Sequence, residues 1–72
     1  MNEIYSSEHK KIVKKLKNAR LDAGMYQENV AKILGKTQSY VSKIESGQRL
    51  IKIIELKKFC KVYKKEIKYF LD

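Results

Sequence analysis

Seventy-two residues bound this chain to one small domain with a limited core, so marginal stability or association with a second copy is expected. Seventeen Lys and Arg against eight Asp and Glu leave a formal net charge of +9, which points to a polyanionic partner. A membrane partner is disfavoured: no apolar run nears the ~20 residues that span a bilayer, and Met1 to Glu8 lacks the charged-then-apolar layout of a secretion signal.

With no proline and only three glycines, the pattern is helical throughout, an all-α domain with no linker. The first helix can start at Ser6 or Ser7 as N-cap, with Glu8 in the favourable first turn. Its inward stripe is Ile12, Leu16, Ala19 and Ala23, with Val13 and Arg20 alongside. Lys10, Lys11, Lys14, Lys15 and Lys17 cover the rest, and Gly24 supplies a left-handed stop. The second helix runs from about Gln27 to Leu34 and buries Val30, Ala31 and Leu34, the small Ala31 suiting a close crossing. Gly35 ends it, and only Lys36 intervenes before Thr37, a good N-cap for a third helix over Gln38 to Ser46 that buries Val41 and Ile44 and stops at Gly47. So tight a connection suits a crossing of about 90–120°, the helix-turn-helix geometry. A fourth helix over Lys52 to Tyr63 carries Ile53, Leu56, Phe59, Cys60 and Tyr63 on one face, and a short fifth over Lys65 to Leu71 offers Ile67, Phe70 and Leu71.

The chemistry-bearing residue types give little sign of a reaction. Cys60 has no second thiol for a disulfide or a zinc site and reads as a small buried core residue. His9, beside Lys10 and Lys11, has no neighbouring Cys or His and reads as an exposed helix residue; no metal or cofactor is expected. No Gly-rich phosphate loop, Gly-x-Ser-x-Gly or spaced carboxylate or histidine cluster occurs, so the chain is not expected to be an enzyme.

The run Arg20, Gly24-Met25-Tyr26-Gln27, Val30-Ala31, Gly35, Thr37-Gln38-Ser39, Val41-Ser42, Ile44-Glu45 and Gly47 resembles the signature of the Cro/repressor-type helix-turn-helix family, also called xenobiotic-response-element-like. Members typically read Arg-x-x-x-Gly-Leu-(Ser/Thr)-Gln, then Leu-Ala, Gly, a polar tripeptide and Ile-Ser-x-(Ile/Leu)-Glu-x-Gly. Ser46-Gly47-Gln48-Arg49 followed by Ile53-Ile54-Glu55-Leu56 is similar to the family's loop between third and fourth helices, and the resemblance covers about residues 10 to 71. It implies a compact five-helix, lambda-repressor-like domain over residues 1–72, core about 8–71. Three positions depart from it: Tyr26 replaces the usual Ser or Thr cap, Lys52 replaces an acidic or hydroxyl helix start, and Lys64 replaces a glycine, so a non-glycine is expected at positive φ.

The resemblance implies that the third helix lies in the major groove of double-stranded DNA. Gln38 is the first candidate base reader, because its amide can meet adenine N6 and N7 together. Ser39 and Thr37 can bond neighbouring bases, the Thr37 methyl can touch a thymine methyl, and Lys43 can reach a guanine or a phosphate. By the same resemblance Gln27 contacts a phosphate, Gln48 and Arg49 grip the backbone, and Tyr40 lies against the sugar-phosphate wall. Arg20 and Glu45 are implied as an ion pair orienting the reading helix.

One module covers about one half-site, so a homodimer is expected. Leu50, Ile51 and Ile54 exceed what the core can take beside Ile53 and Leu56, and Tyr69, Phe70 and Leu71 crowd the C-terminal end. Leu50, Ile51, Ile54, Tyr69 and Phe70 are the expected dimer surface. The expectation is therefore a sequence-specific transcriptional regulator, repressor or activator, in the cytoplasm at the nucleoid, without a small-molecule ligand. The rivals are an antitoxin or other protein-interaction module and a cationic membrane-surface peptide, the last disfavoured by the glycine punctuation.

Overall fold

The computed structural model describes residues 6–72, which form α1 (Ser7–Asp22), α2 (Gln27–Leu34), α3 (Gln38–Glu45), α4 (Ile53–Tyr63) and α5 (Ile67–Leu71). No helix among them is long and apolar enough to cross a membrane. One cluster takes residues from every helix: Leu16 and Ala19, Val30 and Ala31, Val41 and Ile44, Leu56, Phe59 and Tyr63, and Phe70. Phe59, Phe70, Leu16, Ile44, Val30 and Val41 are its largest fully buried side chains. α5 packs on α1 and α4, while α2 and α3 make the closest helix pair.

Local chemistry sets each boundary. Ser6 Oγ accepts from His9 N at 3.1 Å and starts α1. Tyr26 has no acceptor in reach of the α2 amides, so its cap is supplied in reverse: Asn29 Oδ1 accepts from Tyr26 N at 2.9 Å. Lys52 is served the same way by Glu55 Oε1, also at 2.9 Å. Gly35, at φ 68°, turns the chain out of α2 so that Lys36 N reaches Ala31 O at 2.8 Å. A Cβ there would meet nothing within 4 Å, so it is the left-handed backbone that favours glycine. Lys64 adopts the same region at φ 55° without being glycine, which costs about 1–2 kcal/mol. The five-residue α5 is held by Phe70 in the core and by Lys15, whose ammonium donates to the carbonyls of Tyr69 (2.8 Å) and Asp72.

Four expectations need correction. His9 is buried, because the inward stripe of α1 runs His9, Val13, Leu16, Arg20 as well as through Ala19; His9 Nε2 has no hydrogen-bond partner among the described residues. Ala23 is exposed, since α1 ends at Asp22 and Ala23 is its cap. Ile53 is 53% exposed, because as the first residue of α4 it lies outside the face that Leu56, Phe59 and Tyr63 turn inward. Cys60 is only half-buried at the edge of that face; burial nonetheless pushes its thiol pKa up.

Candidate nucleic-acid interface

α3 has two faces of different composition. Val41 and Ile44 are wholly buried, whereas Gln38, Ser39, Ser42 and Lys43 are exposed. Thr37 Oγ1 accepts from Tyr40 N at 3.2 Å, so Thr37 caps the helix and keeps its O–H and methyl for an outside partner. Gln38 and Ser39 make no side-chain hydrogen bond among the described residues. Ser42, three residues beyond Ser39, shares this outward face and was missed as a candidate; its i+3 spacing was the available signal.

The far end of α3 is fixed by a buried polar node. Arg20 Nε donates to Glu45 Oε2 at 2.8 Å, with side chains only 9% and 4% exposed. Arg20 Nη1 also donates to Met25 O at 2.9 Å, and Gln27 Nε2 donates to Glu45 Oε1 at 3.1 Å. One carboxylate thus ties α1, α2 and the end of α3. The hydrogen bond that Arg20 donates to Glu45 raises its pKa against the opposing effect of burial. Gln27 has accordingly spent one amide N–H inward, leaving the other to donate in the phosphate contact expected of it. Tyr63 lies near this node with a buried hydroxyl that has no partner among the described residues, and burial pushes its pKa up.

A second node stands at the other end of α3. The loop after α3 folds back through Gln48 N to Lys43 O at 2.9 Å and leaves Gln48 and Arg49 exposed. Arg49 Nη2 donates to Glu55 Oε2 at 2.8 Å, as does the Tyr40 hydroxyl at 2.6 Å. The Tyr40 ring is half-buried and stacks on Phe59 with centroids 6.5 Å apart. Burial, then the bond to Glu55, pushes Tyr40 up to about 12, so its hydroxyl remains a donor. Its hydroxyl is turned inward to Glu55, which leaves only the ring edge for the sugar-phosphate contact expected of it. Lys36 Nζ lies 5.3 Å from the ring centroid and Arg49 Cζ 5.1 Å from it. Neither Glu55 nor Lys36 is among the residues expected from the sequence: the Tyr40–Glu55 bond runs between separate elements, whereas Lys36 lies only four positions before Tyr40, a local spacing that could have shown it.

The expected dimer surface is only partly a surface. Leu50 is 41% and Ile54 67% exposed, and Ile51 is half-buried. Leu50 and Ile51 line an open hollow of about 340 Å³ with Ser6, Glu8, His9 and Ile12 of the α1 end. Phe70 must be removed from the set: it is fully buried, because it is the residue by which α5 anchors in the core. Tyr69 is half-buried, edge-on to Phe70, with the ammonium groups of Lys15 and Lys65 over its ring at 5.5 and 4.7 Å.

A family model described as helix-turn-helix matches residues 16–70, from the Leu16 turn of α1 to Phe70 in α5. No curated protein and no solved structure matches the chain.

Proposed function

Because this chain belongs to the Cro/repressor-type helix-turn-helix family of DNA-binding transcription regulators, we propose that it reads one half of a two-fold operator with α3 and acts as a homodimer. The observation that carries this reading is the division of α3: Val41 and Ile44 seal its inner face, while Gln38, Ser39, Ser42 and Lys43 stand free on its outer one. Gln38 and Ser39 lie in the first turn, the part of a reading helix that meets base edges. Lys43 can reach a guanine or a phosphate, and Gln48 and Arg49 add backbone contacts, which set register but carry no sequence information.

Dimerisation has a physical motive. A few base contacts from one short helix must compete with a genome of non-specific sites. A two-fold axis doubles them and places half-sites about 34–36 Å apart. Leu50, Ile53 and Ile54 supply the apolar surface, 41–67% exposed in the single chain, for an isologous contact.

Selection of duplexes from a random pool tests the reading. Wild-type protein should enrich one two-fold sequence, and Gln38→Ala should lose about 1–3 kcal/mol at it and relax preference at one base pair. Enrichment of the same sequence with undiminished preference by the variant would remove Gln38 from the base readers. In sedimentation, Ile54→Glu should give a folded monomer that has lost cooperative occupancy of the selected site; a dimer that survives this change places the axis elsewhere.

A further inference from the structure

An acidic side chain beside a phosphate-contacting loop weakens attraction to any nucleic acid, so its presence calls for a compensating role. Glu55 is such a residue. Its Oε2 accepts from the Tyr40 hydroxyl at 2.6 Å and from Arg49 Nη2 at 2.8 Å, and its Oε1 accepts from Lys52 N at 2.9 Å. The donors belong to α3, to the loop and to the cap of α4, so one carboxylate joins three pieces of chain. Burial alone would raise the Glu55 pKa; the bonds from Arg49, Tyr40 and Lys52 outweigh it and hold it at about 2, so the group stays ionised. Arg49 is 44% exposed at its side chain and spends one N–H on Glu55; the guanidinium has five, so donors remain for an outside acceptor such as a phosphate.

We infer that Glu55 is a positioning residue for DNA recognition: it gives up net attraction to hold Arg49 and Tyr40 in one register beside the outer face of α3. The site it organises, with Lys36 as the second cation over the Tyr40 ring, takes a backbone phosphate flanking the bases that α3 reads. This rests on the DNA-binding reading above and adds a source of specificity that touches no base. A mobile arginine finds a phosphate on any duplex at several registers. A fixed one rewards only the register in which Gln38 and Ser39 also meet their bases.

The two roles of the carboxylate predict opposite signs for its removal. Glu55→Gln abolishes a negative charge, so affinity for a scrambled duplex should rise about two- to threefold. Affinity for the selected duplex should fall about tenfold, because the bond that fixes Arg49 is weakened. Both are read by fluorescence anisotropy over a salt series with the full chain, on the duplex selected by wild-type protein and on a scrambled duplex of equal length. In an Arg49→Ala background the same change should leave the ratio of the two affinities unaltered. Equal rises on both duplexes, or the same loss of ratio with and without Arg49, would overturn the proposal while leaving DNA binding intact. A wild type that prefers no duplex overturns the underlying reading instead. Thermal melts accompany each variant. Should Glu55→Gln fail to fold, Tyr40→Phe takes its place, with a two- to threefold fall in the ratio expected and an unchanged ratio decisive against.

Discussion

Arg20–Glu45 and Arg49–Glu55 are both closed at 2.8 Å, and each carboxylate takes a further donor from another segment. They differ in exposure: 9% and 4% for the first pair, 44% and 15% for the second. Distance therefore says little about what an ion pair does. Water screens the outer pair, so its worth to folding is small and its arginine keeps donors for a partner. The inner pair is closed to water and cannot lose one member without stranding the other. One node fixes the end of α3 as part of the fold, and the other presents a group at the fold's edge.

Arg20→Met is the harshest test of that contrast. The uncompensated Glu45 carboxylate should cost about 3–5 kcal/mol in denaturant unfolding, toward the lower figure because Gln27 still donates to it. Adding Glu45→Gln should restore part of the loss; strictly additive changes would mean that the two groups do not interact. The outer pair should show itself in acid. The folded-state pKa of Glu55 is depressed to about 2, so its contribution is present above the unfolded carboxylate range and is lost as pH falls from about 4.5 toward 2. Glu55→Gln should lack that part of the acid-unfolding curve, and superimposable curves would show that the carboxylate gains nothing from folding. The smallest effect belongs to Tyr63, whose hydroxyl lies near the inner pair without bonding to it. Tyr63→Phe should leave stability unchanged or raise it by up to about 1 kcal/mol, since an unsatisfied buried group is removed. A clear loss of melting temperature would reveal a hydrogen bond, direct or through water, that the hydroxyl makes in solution.

The contrast also bears on what could be read without coordinates. Gly24, Gly35, Gly47 and the apolar spacing placed all five helices, and α2 falls on its expected bounds, because backbone punctuation and periodicity are local signals. The lysines around His9 masked its place on the inward stripe, since local polarity and helical phase pointed opposite ways. Phe70 was assigned to a partner surface because so short a helix has too little period to show which face is inward. The Arg20–Glu45 pair spans 25 positions and was suggested by the family resemblance, with nothing in the spacing to reveal it. Glu55 collects donors 3, 6 and 15 positions away, a set that no period links.

The two-faced build of α3 has a consequence for how such a protein can change over generations. Val41 and Ile44 answer to the interior, while Gln38, Ser39, Ser42 and Lys43 answer to nothing inside the molecule. Substitutions at the four outer positions should shift folding free energy by no more than about 0.5 kcal/mol, as at other surface sites. On the proposed reading of DNA by α3, a lineage can therefore trade one target site for another by a few nucleotide changes, without a detour through unstable ancestors. The same separation makes the scaffold a candidate for retargeting in the laboratory: randomising those four positions should, on that reading, vary the choice of DNA and leave the supporting structure alone.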